Sequence, residues 1–478
     1  MRQTRLYREH LCTPIVCVIG VLLAAPTMLL AQTTSQAGGR PTPTFSKDVA
    51  PIFQEKCQTC HRPGEMAPMS LETYLEARPW VRSIRTKVAA GDMPPWFVDK
   101  TVGIQKFIND ISLTDEQKDT ILRWADGGAP VGDPKELPPA KIWPDSKGWR
   151  LSARFGEPDV VVTPTPWVVK AAGPDQWWEP IINTGVTEDR WVRAIEMKPT
   201  DRRVVHHAVT YLYQQEDAAV LAAEQALIKG KGSVEALVDA MRHPSGQSVD
   251  PTEDAPLFSE WAVGKEGEIY PDGTGKLLKA GSKLGFEMHY HSVGEAVTDT
   301  TKAAIWFYPK GYVPSRVVRY QGLAAAKSLQ IPPNTVTVHN GYTVLPAPAM
   351  LENFQPHMHV RGKEYTMEAI YPDGRVEVLN HTGNFHFNWS VNYVYDPDVA
   401  PVLPKGTTIH IRSVQDNTAA NKDNPDPRQW VVGGPRTVDE MSQANTQIVY
   451  LTQEDYEHII AERAKKARAA TTQDQNHH

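Results

Sequence analysis

Residues 354–365, FQPHMHVRGKEY, place two histidines two positions apart in a stretch typical of a β-strand. Successive side chains of a strand point to opposite faces, so His357 and His359 are expected to project from the same face. Two imidazoles on one rigid strand can form half of a site for copper, zinc, iron or nickel. A polar strand surface with two unrelated histidines has the same pattern, so the rest of the chain must decide between these interpretations.

The chain around this stretch has the pattern of β-sandwich domains. Short alternating or β-branched runs recur between Gly, Pro and Asp residues, as in RVVHHAVTYLY (203–213), KLGFEMHYHSVG (283–294) and GTTIHIRSV (406–414). We predict two all-β domains at 157–325 and 326–451, a helical insertion at about 217–241, and a helical or disordered tail at 452–478. A length of 478 residues is consistent with several domains. With 50 Lys and Arg against 56 Asp and Glu, nothing indicates a nucleic-acid partner.

The N-terminus is typical of an export signal at residues 1–31. Arg2, Arg5 and Arg8 precede an apolar run at 15–25, and LLAQ provides a cleavage position after Ala31. The alternative is an uncleaved membrane anchor, because the apolar run nearly reaches spanning length. Export through a bacterial inner membrane predicts a periplasmic protein, associated with a membrane only if the signal is retained.

The sequence CQTCH at 57–61 is the signature of covalent c-type haem attachment. Cys57 and Cys60 would form the thioether bonds, and His61 would be the proximal iron ligand. A zinc site needs further ligands nearby, and a thioredoxin-like CxxC needs a βαβ context that this segment lacks. These are also the only cysteines left after signal removal, so a disulfide framework is not expected.

A small all-α cytochrome c domain is predicted at 43–134, followed by a proline-rich linker at 135–156. Met93, in a loop stiffened by two prolines, is the candidate sixth ligand, although a buried gap-filling methionine is an alternative. SLTDEQKDTILRWADGGAP (112–130) contains a helical capping box, Thr114 with Gln117. The segment resembles class I-type cytochromes c, and His/Met ligation suits electron transfer.

Histidines concentrate in three strand-like clusters: the adjacent pair His206 and His207, then His289 in HYH, then the pair His357 and His359. Adjacent strand residues face opposite ways, so the first pair can share a metal only at a bulge or a strand end. Spacing alone leaves open whether one metal or two is bound, and which metal. A zinc hydrolase is disfavoured because no motif such as HExxH accompanies the histidines.

The order of four motifs resembles a known family. HHAVTY (206–211), EMHYHSVG (287–294) followed by AAIWFYP (303–309), PHMHVRGK (356–363) and VVGGPRTVDEMSQ (431–443) are similar to the copper type II, ascorbate-dependent monooxygenases. That family comprises the peptidylglycine α-hydroxylating and dopamine β-monooxygenases, and the resemblance spans about 157–451. It implies two jelly-roll-like copper domains.

The resemblance also implies a role for each metal-binding side chain. His206, His207 and His289 match the ligands of the electron-donating copper. His357, His359 and Met441 match those of the oxygen-binding copper, and a thioether is a soft ligand that selects Cu(I). Without the motif, Met441 would be read as a core residue.

The implied function is an exported haem- and copper-containing monooxygenase that activates O2 at one copper and hydroxylates a substrate C–H bond. Electrons would come through the second copper and the fused cytochrome c, from ascorbate or another donor such as a redox partner protein. The substrate, small-molecule or peptide-like, is not indicated, because the family's substrate-anchoring residues are not recognisable here. The alternative is a non-catalytic periplasmic electron-transfer or copper-binding protein.

Overall fold

The computed structural model describes residues 40–63, 65, 67–143, 148–249, 256–262, 265, 267–326 and 328–475. The predicted export signal at 1–31 lies outside these residues. Within the described part of the chain, no helix has the length and apolarity needed to cross a membrane. The chain from Pro43 onward forms one compact unit.

Short helices form the N-terminal part of this unit. They are the π-helical turn Phe45–Val49, the α-helices Ala50–Lys56, Tyr74–Ala77, Val81–Ala90 and Asp115–Asp126, and the 3-10 turns Arg78–Trp80 and Pro134–Glu136. Phe45, Phe53 and Trp124 are buried at their centre, with edge contacts between rings about 6 Å apart. The predicted capping box is confirmed, since the Thr114 hydroxyl accepts from the Gln117 N–H and the Gln117 amide oxygen accepts from the Thr114 N–H.

Most of the remaining chain is antiparallel β-structure, and the first half contains two five-stranded sheets. One sheet has the order Val160–Val162, Lys302–Phe307, Arg190–Lys198, Gly267–Ile269, with Lys276–Leu278 also paired to Arg190–Lys198. The other has the order Gln176–Trp178, Lys283–Tyr290, Val205–Tyr213, Leu257–Ala262, with Ile181–Asn183 also paired to Lys283–Tyr290. Ile195 of the first sheet and Leu284 and Phe258 of the second belong to one buried core, as expected of a sandwich. Small two-stranded pairs join Trp167–Val169 to Val297–Asp299 and Glu216–Asp217 to Ser248–Val249.

The second half contains a five-stranded and a four-stranded sheet. The five-stranded sheet has the order Val317–Leu323, Ser442–Tyr450, Ala349–Leu351, Val402–Leu403, with Pro356–Met358 also paired to Ser442–Tyr450. The four-stranded sheet has the order Val336–Val344, Thr408–Asp416, Gly362–Ile370, Val376–Thr382. Ile448 of one sheet shares a buried core with Met367 and Ile411 of the other. Short pairs join Gln330–Ile331 to Val431–Val432 and Asn353–Phe354 to Tyr393–Val394.

The strand Val317–Leu323 pairs with Ser442–Tyr450 throughout its length. The chain therefore enters the second pair of sheets before residue 326, where the sequence pattern had placed the boundary. A strand's own residues do not specify its partner, so this crossing is not visible in the pattern.

Helices also occur where the sequence predicted them in the β-rich part. Ala218–Ile228, capped by the Asp217 carboxylate, and Val234–Arg242 form the insertion predicted at about 217–241. The short helix Ser152–Phe155 precedes the first sheet, and the helix Gln453–Gln475 ends the described chain.

The segment 96–109, which follows Met93, is docked on the second pair of sheets. Single β-bridges join Val98 to Thr382 and Phe107 to Tyr395. The Phe97 N–H donates to the Tyr393 hydroxyl at 3.0 Å. The helical part is thus fixed to the β-structure by direct pairing, in addition to its covalent connection through 135–156.

Candidate metal centres

The first histidine set lies at a bulge between two strands. His207 stands opposite His289 across the strand pair, and Tyr290 then pairs with Val205, so His206 is the extra residue of the bulge. The Nδ1 atoms of His206 and His207 are 3.2 Å apart. Candidate ligand atoms of all three histidines lie within 4.8 Å of one another. His206 and His207 therefore lie at a bulge, where adjacent strand residues can share one metal.

The orientation of His289 is fixed by groups that the sequence did not single out. Its Nε2 is 2.9 Å from the Asp175 carboxylate, and its ring stacks on Trp177 with centroids 4.3 Å apart. Among the described residues, the buried Nδ1 of His289 finds no hydrogen-bond partner. A carboxylate on one ring nitrogen with the other nitrogen left available is the arrangement of a metal-binding histidine. This orphaned atom is a structural reason to expect a metal here.

Burial keeps these imidazoles neutral, which is the state that binds metals. Desolvation, assisted by the neighbouring histidines, lowers the pKa of His206 to about 4 and moves the pKa of His207 well below its ordinary value. Desolvation also lowers the pKa of His289, despite the opposing effect of Asp175.

The second set is assembled by the pairing of Pro356–Met358 with the start of Ser442–Tyr450. Met358 pairs with Ser442, which brings Met441 beside the histidines. The His357 Nε2 is 3.4 Å from the Met441 sulfur, and the rings of His357 and His359 are 5.4 Å apart. The His359 Nδ1 lies 3.2 Å from the Asp439 carbonyl. The structure thus brings His357, His359 and Met441 together.

Glu440 holds the two segments of this set in register. Its buried carboxylate accepts the backbone N–H groups of His359, Arg361 and Met441, the second at 3.1 Å. Burial raises the pKa of Glu440 to about 7, opposed by these three hydrogen bonds. Glu440 is therefore a positioning residue.

The histidines of both sets line one pocket, which encloses about 410 Å³ of space including solvent at its mouth. The Phe387 ring lies between them, with its centroid 4.9 Å from the ring of His206 and 5.9 Å from that of His359. Copper fits the residues present, since one set offers three imidazoles and the other two imidazoles and a thioether.

A buried ionic group joins the strands that carry the two sets. Glu260 lies on Leu257–Ala262, which pairs with the strand of His206 and His207. Its carboxylate accepts from the Tyr320 hydroxyl and from the Gln355 side-chain amide, both at 2.6 Å. Gln355 immediately precedes the strand of His357. This network is not apparent in the sequence.

The predicted haem segment has the geometry of its motif. The His61 N–H donates to the Cys57 carbonyl at 2.9 Å, which places Cys57, Cys60 and His61 on one turn, and the two sulfurs are not joined in a disulfide. The His61 Nδ1 lies 3.2 Å from the Met69 carbonyl, so Nε2 is left for an iron. These residues fit a covalently attached haem. For Met93, the described hydrogen bond is from its N–H to Lys87, and its role as sixth ligand stays a prediction.

A salt bridge joins the haem segment to the first histidine set. Glu65 accepts from Arg62 at 2.6 Å and from Arg202 at 3.0 Å, and the three side chains are almost fully buried. Arg202 precedes His206 by four residues. Two neighbouring histidines, which the motifs give no ligand role, have other contacts: the His291 N–H donates to the Val204 carbonyl, and the His386 ring packs on Phe97.

No protein-family model and no curated protein matches the chain. Among solved structures, PNGF-II matches with 9% identity and a TM-score of 0.23, over 62% of this chain and 66% of that one. A two-domain Bacteroides fragilis protein of unknown function matches with 9% identity and a TM-score of 0.14, over 65% of this chain and 100% of that one. Superpositions this loose carry no information about activity.

Proposed function

We propose that this chain is an exported copper-dependent monooxygenase with a covalently attached haem c. The reaction is R–H + O2 + 2e⁻ + 2H⁺ → R–OH + H2O, with the electrons supplied by ascorbate or a protein donor. The observation that carries the proposal is that the histidines of both sets line one open pocket, and that the Met441 sulfur lies beside His357. The motif resemblance to copper type II monooxygenases supports the same assignment.

The two sets differ in a way that suits different tasks. His206, His207 and His289 form an all-imidazole set, whereas Met441 adds a soft ligand to His357 and His359. Copper bound at these sets supplies one-electron transfer at the first and O2 activation at the second. The pocket gives a substrate access to the His357 side.

The chain's own residues supply the precise geometry that such a reaction needs. Asp175 orients His289, Glu440 holds His359 and Met441 in register, and Glu260 ties the two histidine-bearing strands together. Cys57, Cys60 and His61 would hold the haem, which supplies a one-electron carrier.

The test is metal content together with O2 consumption, on full-length protein matured with haem and loaded with copper. We expect one iron and two coppers per chain, with one copper lost in His357→Ala and in Met441→Ala. His243→Ala is the control, because His243 is an exposed histidine on the helical insertion. O2 consumption should yield a hydroxylated product and should stop in both copper variants.

Two other results would contradict the proposal in different ways. Two coppers that cycle in redox titrations without O2-dependent product formation would indicate the electron-transfer protein instead. One copper or none, with iron intact, would remove the dicopper arrangement altogether.

A further inference from the structure

The pocket wall between the two metal sets is built from uncharged side chains. Besides the histidines, the described lining residues are apolar or carry a single hydroxyl: Pro356, Met358, Phe385, Phe387, Pro435, and then Ser390 and Thr437. No Asp, Glu, Lys or Arg belongs to the described lining. A pocket that selects a charged substrate needs a side chain of opposite charge, because an unpaired buried charge is very costly.

Two basic residues close in sequence to the lining residues already have hydrogen-bond or ion-pair partners. The Arg361 guanidinium is buried and donates to Asn417 and to the Val438 carbonyl, at 3.1 and 2.9 Å. Arg436 pairs with Asp439 at 2.6 Å on the exposed side. Both basic side chains thus have partners among the described residues.

Two acidic residues near the pocket also have hydrogen-bond partners. The Glu440 carboxylate accepts three backbone N–H groups, and the Asp175 carboxylate is held on His289. An ammonium group in the pocket would meet no carboxylate among the described lining residues, and bound copper ions would repel it. A carboxylate would meet no basic side chain and would have to bind a copper directly.

We infer that the substrate of this pocket is a small neutral molecule with an apolar or aromatic body, packed on Phe387 and hydrogen-bonded by Thr437 or Ser390. This inference rests on the proposed function for the identity of the site. From the same lining we expect protonated amines to bind weakly and carboxylates to bind only through a copper.

Three probes of equal size and different charge test the inference: 4-fluorobenzyl alcohol, 4-fluorobenzylammonium and 4-fluorobenzoate. Binding is measured by fluorine NMR on the full-length, haem-containing protein, first without copper and then loaded with copper. We expect the alcohol to bind at least ten times more tightly than either ion when copper is absent. Copper should leave the ammonium probe unbound, and any benzoate binding that appears should be displaced by azide.

Single substitutions inside and outside the pocket test whether the probes bind there, and the substitution outside controls for general loss of folding. Phe387→Ala should weaken alcohol binding at least tenfold, whereas Phe155→Ala, which removes a half-buried ring outside the pocket, should not. Thr437→Asp adds the missing carboxylate and should make the ammonium probe bind better than the alcohol. Equal binding of an ion and the alcohol, no binding of any probe, or an unchanged Kd in Phe387→Ala would overturn the inference.

Binding without copper keeps this test separate from the proposed activity. If the alcohol binds as expected but no O2 is consumed, the monooxygenase proposal fails and the charge preference stands. If O2 is consumed but a charged probe binds best, only the present inference fails.

Discussion

Glu260 is expected to help fix the distance between the two metal sets, because its side chain bonds from the strand beside the first set to residues beside the second. Its strand is paired with that of His207, and its partners Tyr320 and Gln355 belong to the second pair of sheets. Two replacements separate charge from shape: Glu260→Gln keeps a planar polar group, whereas Glu260→Ala removes it.

The magnitudes follow from the bonds lost. A hydrogen bond to a charged group contributes about 1.5–3 kcal/mol, against about 0.5–1.5 kcal/mol for a neutral one. A glutamine can keep both partners, with its oxygen toward Gln355 and its amide toward the Tyr320 hydroxyl, so two bonds each weakened by about 1 kcal/mol give a loss of about 2 kcal/mol. Both replacements also remove the ion pair of Glu260 with the buried Lys265 ammonium at 3.6 Å, although Lys265 keeps Glu268 at 3.3 Å. Alanine loses the hydrogen bonds as well, and its cost should lie near the lower end of the about 3–5 kcal/mol for breaking a buried ion pair.

The assay combines urea unfolding with the dipolar EPR coupling of protein carrying two Cu(II) ions. We expect Glu260→Ala to broaden the distribution of copper–copper distances, and Glu260→Gln to do so less. Glu287→Gln is the matched control, since Glu287 accepts from the Tyr211 hydroxyl at 3.0 Å within one sheet. The control should lose stability without changing the distance distribution. An unchanged distribution in Glu260→Ala would refute the reasoning.

Three further predictions concern single contacts. Asp175→Asn should weaken copper binding at the His289 set about 10–100-fold in chelator competition, because the amide no longer fixes the ring as the carboxylate does. Copper-free protein should lose stability as pH falls from 6.5 towards 4. The unfolded state binds a proton at His206 in this range, whereas burial in the folded state lowers the pKa of His206 to about 4 and keeps the ring neutral. At pH 5 we expect the free energy of unfolding, measured in urea, to be lower by about 2 kcal/mol. Asn109→Ala should speed amide exchange in the segment 96–109, because the Asn109 side chain bonds Asn392 and Val394 at 2.6 and 3.0 Å.

Each of these has its own control and contrary result. Asp239→Asn, at an exposed pair with His243, should leave copper affinity unchanged, and an equal loss there would remove the special role of Asp175. A copper-free protein more stable at pH 5 than at pH 7 would contradict the neutral, buried state of His206. If amide exchange in Asn109→Ala became equally faster in the helix Asp115–Asp126, the substitution would have destabilised the helical part in general rather than the docking of the segment 96–109.

Local spacing predicted the parts of this molecule that are decided by neighbouring residues. The capping box at Thr114 and the need for a bulge or strand end at His206 both follow from a few adjacent positions. The grouping of distant ligands such as His357 and Met441 came only from the motif resemblance, and contacts outside the motifs were not predictable, because register and sheet pairing are set by the whole fold. Asp175 meets His289 across 114 residues, and Glu260 meets Gln355 across 95.

The docking of the helical segment bears on how electrons would enter. A module on a flexible linker would sample many positions relative to the β-structure. In this chain the helical segment is held in place, because the Phe97 ring packs on His386 with centroids 4.7 Å apart, and the next residue, Phe387, packs on His206. On another side, Glu65 bridges Arg62, which follows the CQTCH motif, and Arg202, which precedes His206. Both connections lead from the haem segment to the all-imidazole set, which the motif resemblance implies to be the electron-donating one. For the proposed haem and copper ions, a donor fixed in this way would need no encounter step for each electron, so we expect the fusion to favour delivery through the chain itself over delivery by a diffusing reductant at the pocket.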